Sequence, residues 1–64
     1  MMKNNIKEHR KEMGLRQEDV ALAVDVTRQT INAIENNKYS PTLELAMKLA
    51  RFFNVKVEEL FILE

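Results

Sequence analysis

The sequence predicts a small all-α domain built from five helices, and three observations favour this fold class. Residues 17–34 have the spacing of a helix-turn-helix, in which two short helices cross steeply around a tight turn. Residues 43–53 are apolar over a wide arc of a helical surface. Residues that readily adopt the left-handed backbone of a helix C-terminus follow the apolar-periodic segments. They are Gly14, Asp25, Asn37 and Asn54.

The first two predicted helices cover about residues 4–13 and 17–24, and the turn after them has strict requirements. Ala21 must be small because the third helix passes over it. Asp25 must tolerate a left-handed backbone, which Asp accepts better than most residues other than Gly. The apolar residues that we expect on the inner face of this motif are Val20, Val24, Val26, Ile31 and Ile34.

The third predicted helix begins after Thr27, a good N-cap, and ends near Asn36. Its outer face carries the side-chain types that read base edges in the major groove of DNA. Arg suits guanine, Gln and Asn suit adenine, and small methyl-bearing side chains can contact the methyl group of thymine. A polar helix face is often merely solvated, but the position of this face on the second helix of the motif favours DNA reading. The candidate base-reading residues are Thr27, Arg28, Gln29, Asn32 and Ala33.

The loop after the third helix offers candidates for contact with DNA phosphates. Lys38 adds positive charge, and backbone N–H groups in such loops commonly approach a phosphate. The hydroxyl of Tyr39 could donate to a phosphate, or its ring could pack over the loop. Thr30 points toward a phosphate or packs at the edge of the core. The candidate phosphate contacts in this region are Thr30, Asn36, Lys38 and Tyr39.

The fourth predicted helix, after the N-cap Thr42, has more apolar surface than one core requires. Its apolar residues cover roughly 220° of arc at about 100° per residue, whereas a core-facing helix needs a stripe of about 100° or somewhat more. A short fifth helix, residues 57–60, leads into an apolar C-terminal segment. The extra apolar surface of the fourth helix favours a homodimer interface. Alternatively, the C-terminal segment covers this surface within one chain. The predicted interface residues are Leu49, Phe52, Phe53, Phe61, Ile62 and Leu63.

Length and charge constrain the function further. The chain has 64 residues, so residues 1–64 are expected to form one domain. The formal net charge is zero, which counts mildly against nucleic-acid binding. However, residues 1–16 hold five of the ten basic side chains and only two of the ten acidic ones. Such segregation permits DNA binding, with a salt dependence that reflects a few phosphate contacts per chain.

Several classes of function find no support in the sequence. There is no Cys, so neither a disulfide framework nor a thiolate metal site is expected. The single His9 is expected to be solvated, and no metal, cofactor or small-molecule ligand is predicted. No apolar run approaches the length of a membrane span, and the N-terminus does not read as a signal peptide. We therefore expect a cytoplasmic protein without enzymatic activity.

Short motifs follow one another along most of the chain. They are MGL at 13–15, QEDVA at 17–21, TRQTI at 27–31, IENNK at 34–38, SPTLELA at 40–46 and VEELF at 57–61. In this order and spacing, residues 6–61 resemble the Cro/CI-type (Xre-type) helix-turn-helix regulators. The resemblance implies a compact five-helix, lambda-repressor-like DNA-binding domain, with the helix-turn-helix at about residues 17–36. It also implies a dimer that binds two-fold symmetric operators.

The resemblance also assigns roles to individual residues. Gln17 would donate its side-chain amide to a DNA phosphate, and Arg10 and Glu35 would form a partly buried ion pair that braces the DNA-reading helix. Arg16 departs from the family, which usually has Ser or Thr there as an N-cap, so Arg16 contacts a phosphate or is simply solvated. Some short relatives pair their termini as a β-ribbon, which here would join residues 1–3 to residues 61–63.

The expected function is sequence-specific binding of double-stranded DNA as a homodimer. The protein would act as a prokaryotic regulator, and more specifically as a repressor of an inverted-repeat operator. One alternative is the DNA-binding antitoxin of a toxin–antitoxin pair. Antitoxins often carry an extra toxin-binding segment, and no residues here are expected to form one. Another alternative is a protein-interaction module that has lost DNA binding. The presence of a full set of polar candidate residues argues against this loss; they are Gln17, Arg28, Gln29 and Lys38.

Overall fold

The predicted helices are all present in the computed structural model, which describes residues 2–64. Within that range the helices are α1 (Ile6–Glu12), α2 (Gln17–Ala23), α3 (Arg28–Glu35), α4 (Leu43–Phe53) and α5 (Val57–Leu60). The all-α, five-helix prediction is therefore confirmed. The largest difference in bounds is at the start of α1, which begins at Ile6 and not at Asn4, because Asn4 belongs to a strand.

The two ends of the chain pair as a short antiparallel ribbon of β1 (Met2–Asn4) and β2 (Phe61–Leu63). The register places Met2 opposite Leu63, Lys3 opposite Ile62 and Asn4 opposite Phe61. This confirms the predicted terminal ribbon, although the strand includes Asn4. Met1, which the prediction also assigned to the strand, lies outside the described residues. Asn5 continues the pairing, since its N–H donates to the carbonyl of Leu60 at 2.9 Å.

The left-handed positions and the helix caps explain how a chain with so few glycines turns so often. Positive φ angles occur at Gly14 (69°), Asp25 (61°), Asn37 (59°) and Asn54 (58°), as predicted. The predicted N-caps are also confirmed, because the hydroxyls of Thr27 and Thr42 each accept a backbone N–H at 3.2 Å. These short polar side chains satisfy backbone groups that helix ends leave without partners.

The helix α2 begins without a side-chain acceptor at its N-cap, Arg16. A guanidinium group carries only donors, so it cannot accept the free N–H groups of the first turn. The carboxylate of Asp19 instead accepts the backbone N–H of Arg16 at 2.8 Å. The Arg16 side chain remains 80% exposed. This arrangement ties the first turn together, and the exposed guanidinium of Arg16 lies with its Nε 3.7 Å from Asp19 Oδ2.

The core gathers apolar side chains from all five helices, and it also takes in the start of β2. Ile6, Val20, Ile31, Leu49 and Leu60 have no exposed surface. Phe53 and Phe61 are only 7% and 8% exposed. The prediction that Leu49, Phe53 and Phe61 lie at a dimer interface is thereby corrected. Their side chains fill the core of one chain, so they have almost no area left for a partner.

Candidate nucleic-acid interface

The helix α3 separates an apolar inner face from a polar outer face. Ile31 and Ile34 are buried in the core, where they hold the helix against α2. Among the candidate base-reading residues, Ala33 is half-buried and the other members are exposed. Those exposed residues are Thr27, Arg28, Gln29 and Asn32. The structure thus brings the predicted set together on one accessible surface, which we call the α3 outer face.

A bidentate ion pair holds the end of α3 against α1. Arg10 Nε lies 2.8 Å from Glu35 Oε2, and Arg10 Nη2 lies 3.2 Å from Glu35 Oε1. The remaining nitrogen, Nη1, donates to the carbonyl of Leu15 at 3.0 Å. The side chains of Arg10 and Glu35 are only 12% and 3% exposed, so solvent screens this pair little.

The charge state of Arg10 is secured by the same contact. The hydrogen bond to Glu35 raises the pKa of Arg10, burial opposes that shift, and the negative charge of Glu35 adds to it. The charged form of Arg10 is therefore favoured even more than in a free arginine. A permanent cation keeps the carboxylate of Glu35 in a fixed orientation.

Gln17 joins this pair to the α3 outer face. Its Nε2 donates to Glu35 Oε1 at 3.1 Å, and its Oε1 accepts from Asn32 Nδ2 at 3.3 Å. Asn36 Nδ2 in turn donates to the carbonyl of Asn32 at 2.8 Å and to its Oδ1 at 3.3 Å. One amide hydrogen of Gln17 is left for an outside acceptor, such as a phosphate oxygen.

Sequence reasoning missed the hydrogen bonds among Gln17, Asn32 and Asn36. The sequence marks Asn32 only as a base reader, yet in the structure its amide also orients Gln17. The spacing of Asn32 and Asn36 contains a usable signal, since residues four apart are neighbours on a helix. The link from Asn32 to Gln17 spans two helices, so no local spacing could reveal it.

Arg28 lies near the start of α2 as well as at the start of α3. A shallow depression of about 400 Å³ is lined by Arg28 together with Arg10, Arg16, Gln17 and Glu18. The basic side chains outnumber the single acidic one, which makes this depression suited to a phosphate group. Arg28 therefore borders both the α3 outer face and this depression.

The loop after α3 presents exposed side chains, and several of its backbone N–H groups are already bonded. Residues 36–39 are all exposed. However, the N–H of Asn37 donates to the carbonyl of Ile34 at 3.0 Å, and the N–H of Lys38 donates to that of Ala33 at 2.9 Å. These two groups are therefore occupied at the end of the helix. The ammonium of Lys38 and the hydroxyl of Tyr39, a residue that is 46% exposed, remain open to an outside partner.

Thr30, for which packing at the edge of the core was one of two alternatives, and His9 both make contacts within the chain. The Thr30 hydroxyl lies 3.0 Å from that of Thr27, and Thr30 is half-buried, so it belongs to the capped first turn of α3. His9 is not fully solvated, because its ring lies 5.7 Å from that of Phe53 and its side chain is 30% exposed.

Across residues 2–64, His, Asp and Glu side chains form no cluster of three that could hold a metal ion. Nor does any helix in that range have the length and apolar character to cross a membrane.

Comparison with known proteins gives matches over nearly the whole chain. Residues 6–60 match the family model described as "Helix-turn-helix". An HTH-type transcriptional regulator of Methanocaldococcus jannaschii is 54% identical over 63 residues, which cover 98% of this chain and 96% of that protein. An HTH-type transcriptional regulator of Bacillus subtilis is 48% identical, again over 98% and 96% of the two chains.

A phage repressor and a solved structure extend these similarities. The cryptic phage CTXphi transcriptional repressor of Vibrio cholerae is 40% identical over 60 residues, which cover 94% of this chain but 54% of that protein. The crystal structure of a candidate DNA-binding protein from Bacteroides fragilis superposes with a TM-score of 0.84 at 30% identity. The superposition covers 95% of this chain and 98% of that one.

Proposed function

Since the chain belongs to the Cro/CI-type helix-turn-helix family of DNA-binding transcriptional regulators, we propose that it binds operator DNA sequence-specifically as a homodimer. This is a family of regulators and not of enzymes. Residues 1–64 would act as one DNA-binding domain, placed beside the chromosome in the cytoplasm. The observation that carries the proposal is the exposed, polar α3 outer face, set on a helix that Arg10 and Glu35 hold from behind.

Base reading is assigned to the α3 outer face in the major groove. Arg28 and Gln29 stand at the start of the helix, where recognition helices of this type contact base edges. Asn32 and the methyl groups of Thr27 and Ala33 complete the surface. Gln29 projects into solvent at the first turn, which leaves its amide available for the two contacts that an adenine edge offers.

Phosphate contacts are assigned to both ends of the motif. On one side, Gln17 offers an amide hydrogen that Glu35 orients, and the largely exposed guanidinium of Arg16, loosely paired with Asp19, lines the same depression. On the other side, Lys38 and Tyr39 project from the loop after α3, and Asn36 lies close to them. Such contacts fix the position of the protein on the duplex, whereas the base edges between them supply specificity.

The homodimer is supported by apolar side chains that the fold leaves in water. Ile62 and Leu63 are 38% and 83% exposed on β2, and Phe52 is half-buried on α4. Leu43 and Met47, one turn apart on α4, are 73% and 47% exposed. Exposed apolar surface of this kind in a small domain favours association with a partner. Two copies would place their α3 helices about 34 Å apart on an inverted repeat.

Repression is the favoured direction of regulation. A relative from Vibrio cholerae is named a transcriptional repressor, and it matches 94% of this chain. A protein that occupies a promoter excludes polymerase from it, and this requires no more than the DNA-binding surface. We therefore propose that binding at the operator blocks transcription.

Selection of bound sequences from a random pool of duplex DNA tests the proposed function. We expect enrichment of an inverted repeat whose half-sites are centred about 10 base pairs apart. Footprinting on the selected duplex should protect both half-sites together. A pool that shows no enrichment over several rounds, with binding that depends on salt alone, would contradict sequence-specific recognition.

A further inference from the structure

Asn4 makes side-chain contacts that reach from the terminal ribbon to the DNA-reading helix. Its Nδ2 donates to the carbonyl of Ile34 at 2.8 Å and to Oδ1 of Asn37 at 3.1 Å. Its Oδ1 accepts the backbone N–H of Ile6 at 3.2 Å, at the first residue of α1. The half-buried amide of one strand residue thus satisfies groups in α1, in α3 and in the loop that follows α3.

The contacted atoms define where α3 ends. The carbonyl of Ile34 already accepts the N–H of Asn37, and Asn4 adds a second donor to the same oxygen. Asn37 has a φ of 59°, the left-handed conformation that turns the chain out of the helix. Lys38 is the next residue, so the direction in which its side chain leaves the helix depends on the geometry of Asn37.

On the other side, Asn4 is held by the ribbon. It pairs with Phe61 in the register of β1 and β2, and the buried ring of Phe61 anchors that pair to the core. A cavity of about 170 Å³ next to Asn4 is lined by residues of the ribbon and of the loop after α3. Beside this cavity, where apolar side chains do not fill the space, the Asn4 amide joins the ribbon to the end of α3 and to the loop.

We propose that Asn4 is a positioning residue for DNA binding, which fixes the end of α3 and the direction of Lys38 from the terminal ribbon. The proposal rests on the phosphate contact assigned above to Lys38. A loop held in place before DNA arrives loses less conformational freedom on binding, and preorganisation of this kind increases affinity. Because β2 also carries the exposed Ile62 and Leu63, Asn4 connects the proposed dimer surface to the DNA surface.

The variant Asn4→Ser tests the proposal with little change elsewhere. A serine hydroxyl can still accept the N–H of Ile6, but it is too short to reach the carbonyl of Ile34. We expect binding to the selected duplex to weaken by about threefold to tenfold, and by no more than Lys38→Ala weakens it, because the donor to Ile34 and Asn37 is lost. Asn4→Asp should weaken binding more, because its carboxylate would face two oxygen acceptors.

The neighbouring residue provides a matched control. Asn5 also donates its side-chain amide to a backbone carbonyl, that of Glu59 at 3.1 Å, but this partner lies in α5 and not in α3 or the loop after it. Asn5→Ser and Asn5→Asp therefore remove the same kind of bond and add the same charge without touching the loop. All variants are compared at a temperature where circular dichroism shows them fully folded. Equal losses of affinity for the Asn4 and Asn5 variants would overturn the inference, as would Asn4 variants that never fold.

A second substitution separates positioning from a general loss of stability. In a Lys38→Ala background, Asn4→Ser should weaken binding much less than in the unmodified protein, because the side chain that it positions is gone. Fully additive losses would overturn the proposal. Nuclear magnetic resonance of the free Asn4→Ser protein should show amide shifts concentrated at residues 34–38. If the unmodified protein binds no DNA at all, the proposed function has failed, and these shifts still report whether Asn4 holds the loop.

Discussion

The α3 outer face and the exposed apolar side chains of α4 and β2 differ in how they are held. Behind the α3 outer face, hydrogen bonds among Arg10, Glu35, Gln17 and Asn32 fix the orientation of polar groups before any ligand binds. On α4 and β2, large apolar side chains are exposed, and such groups cannot be oriented by hydrogen bonds. The first surface is built for directional recognition, whereas the second gains mainly from removing area from water.

If the buried ion pair of Arg10 and Glu35 braces α3, its loss should destabilise the fold as much as the loss of a core side chain does. Glu35→Ala should lower the free energy of unfolding by about 3 kcal/mol or more, because it leaves the cation of Arg10 buried and unpaired. Urea denaturation measures this change. The control is Glu44→Ala, which removes an exposed pair with Lys48 at 3.3 Å and should cost less than about 1 kcal/mol. Equal effects of the two substitutions would mean that the buried pair provides no bracing.

The division of the apolar residues between core and surface gives the second prediction. Leu49→Ala should cost about 2–5 kcal/mol of stability, since Leu49 has no exposed surface and its removal leaves a cavity. Leu63→Ala, at 83% exposure, should change stability by less than about 0.5 kcal/mol. Thermal unfolding of dilute protein, where any dimer has dissociated, tests both. A large loss for Leu63→Ala under those conditions would place Leu63 in the core of one chain.

Arg28 tests whether the α3 outer face reads bases. Arg28→Ala should weaken binding to the selected duplex by about 1–3 kcal/mol and relax the preference at one base pair of each half-site. Binding to a panel of single-base variants of the duplex measures this. If affinity falls equally on every sequence, Arg28 contacts phosphate in the depression that it shares with Arg16 and Gln17.

Lys38 should have the smallest effect, and one without sequence preference. Lys38→Ala should weaken specific and non-specific binding alike. It should also reduce the slope of log affinity against log salt by about one unit for each phosphate that the ammonium no longer neutralises. Lys48→Ala, on α4, serves as the charge-matched control. A slope that is the same for both variants would indicate that Lys38 is merely solvated.

The elements that were predictable from sequence are those set by local chemistry. Asp25, Asn37 and Asn54 adopt left-handed backbones because their short polar side chains tolerate them, and Thr27 and Thr42 cap helices because a hydroxyl can accept an N–H. The terminal ribbon was predictable only through the resemblance to short relatives, since its strands are three residues long and far apart in sequence.

The parts that could not be predicted depend on contacts between distant residues. A count of apolar residues on α4 shows a surplus, but it does not say which of them face the core. Leu49 and Phe53 face inward and Leu43 and Met47 face outward, which only the packing against α5 and β2 decides. The amide network of Gln17 and the contacts of Asn4 were likewise invisible, because a surface amide gives no sequence signal of its partner.

Sedimentation of the protein with the selected duplex tests the central claim most directly, because it counts the chains that read one operator. At micromolar concentration the account predicts a free species of twice the 7.5 kDa chain mass and two chains on each inverted repeat. Ile62→Asp should give a folded monomer that binds the same duplex far more weakly. A free mass of 7.5 kDa together with one chain per duplex would contradict the two-fold dimer, and with it the assignment of β2 and α4 as its surface.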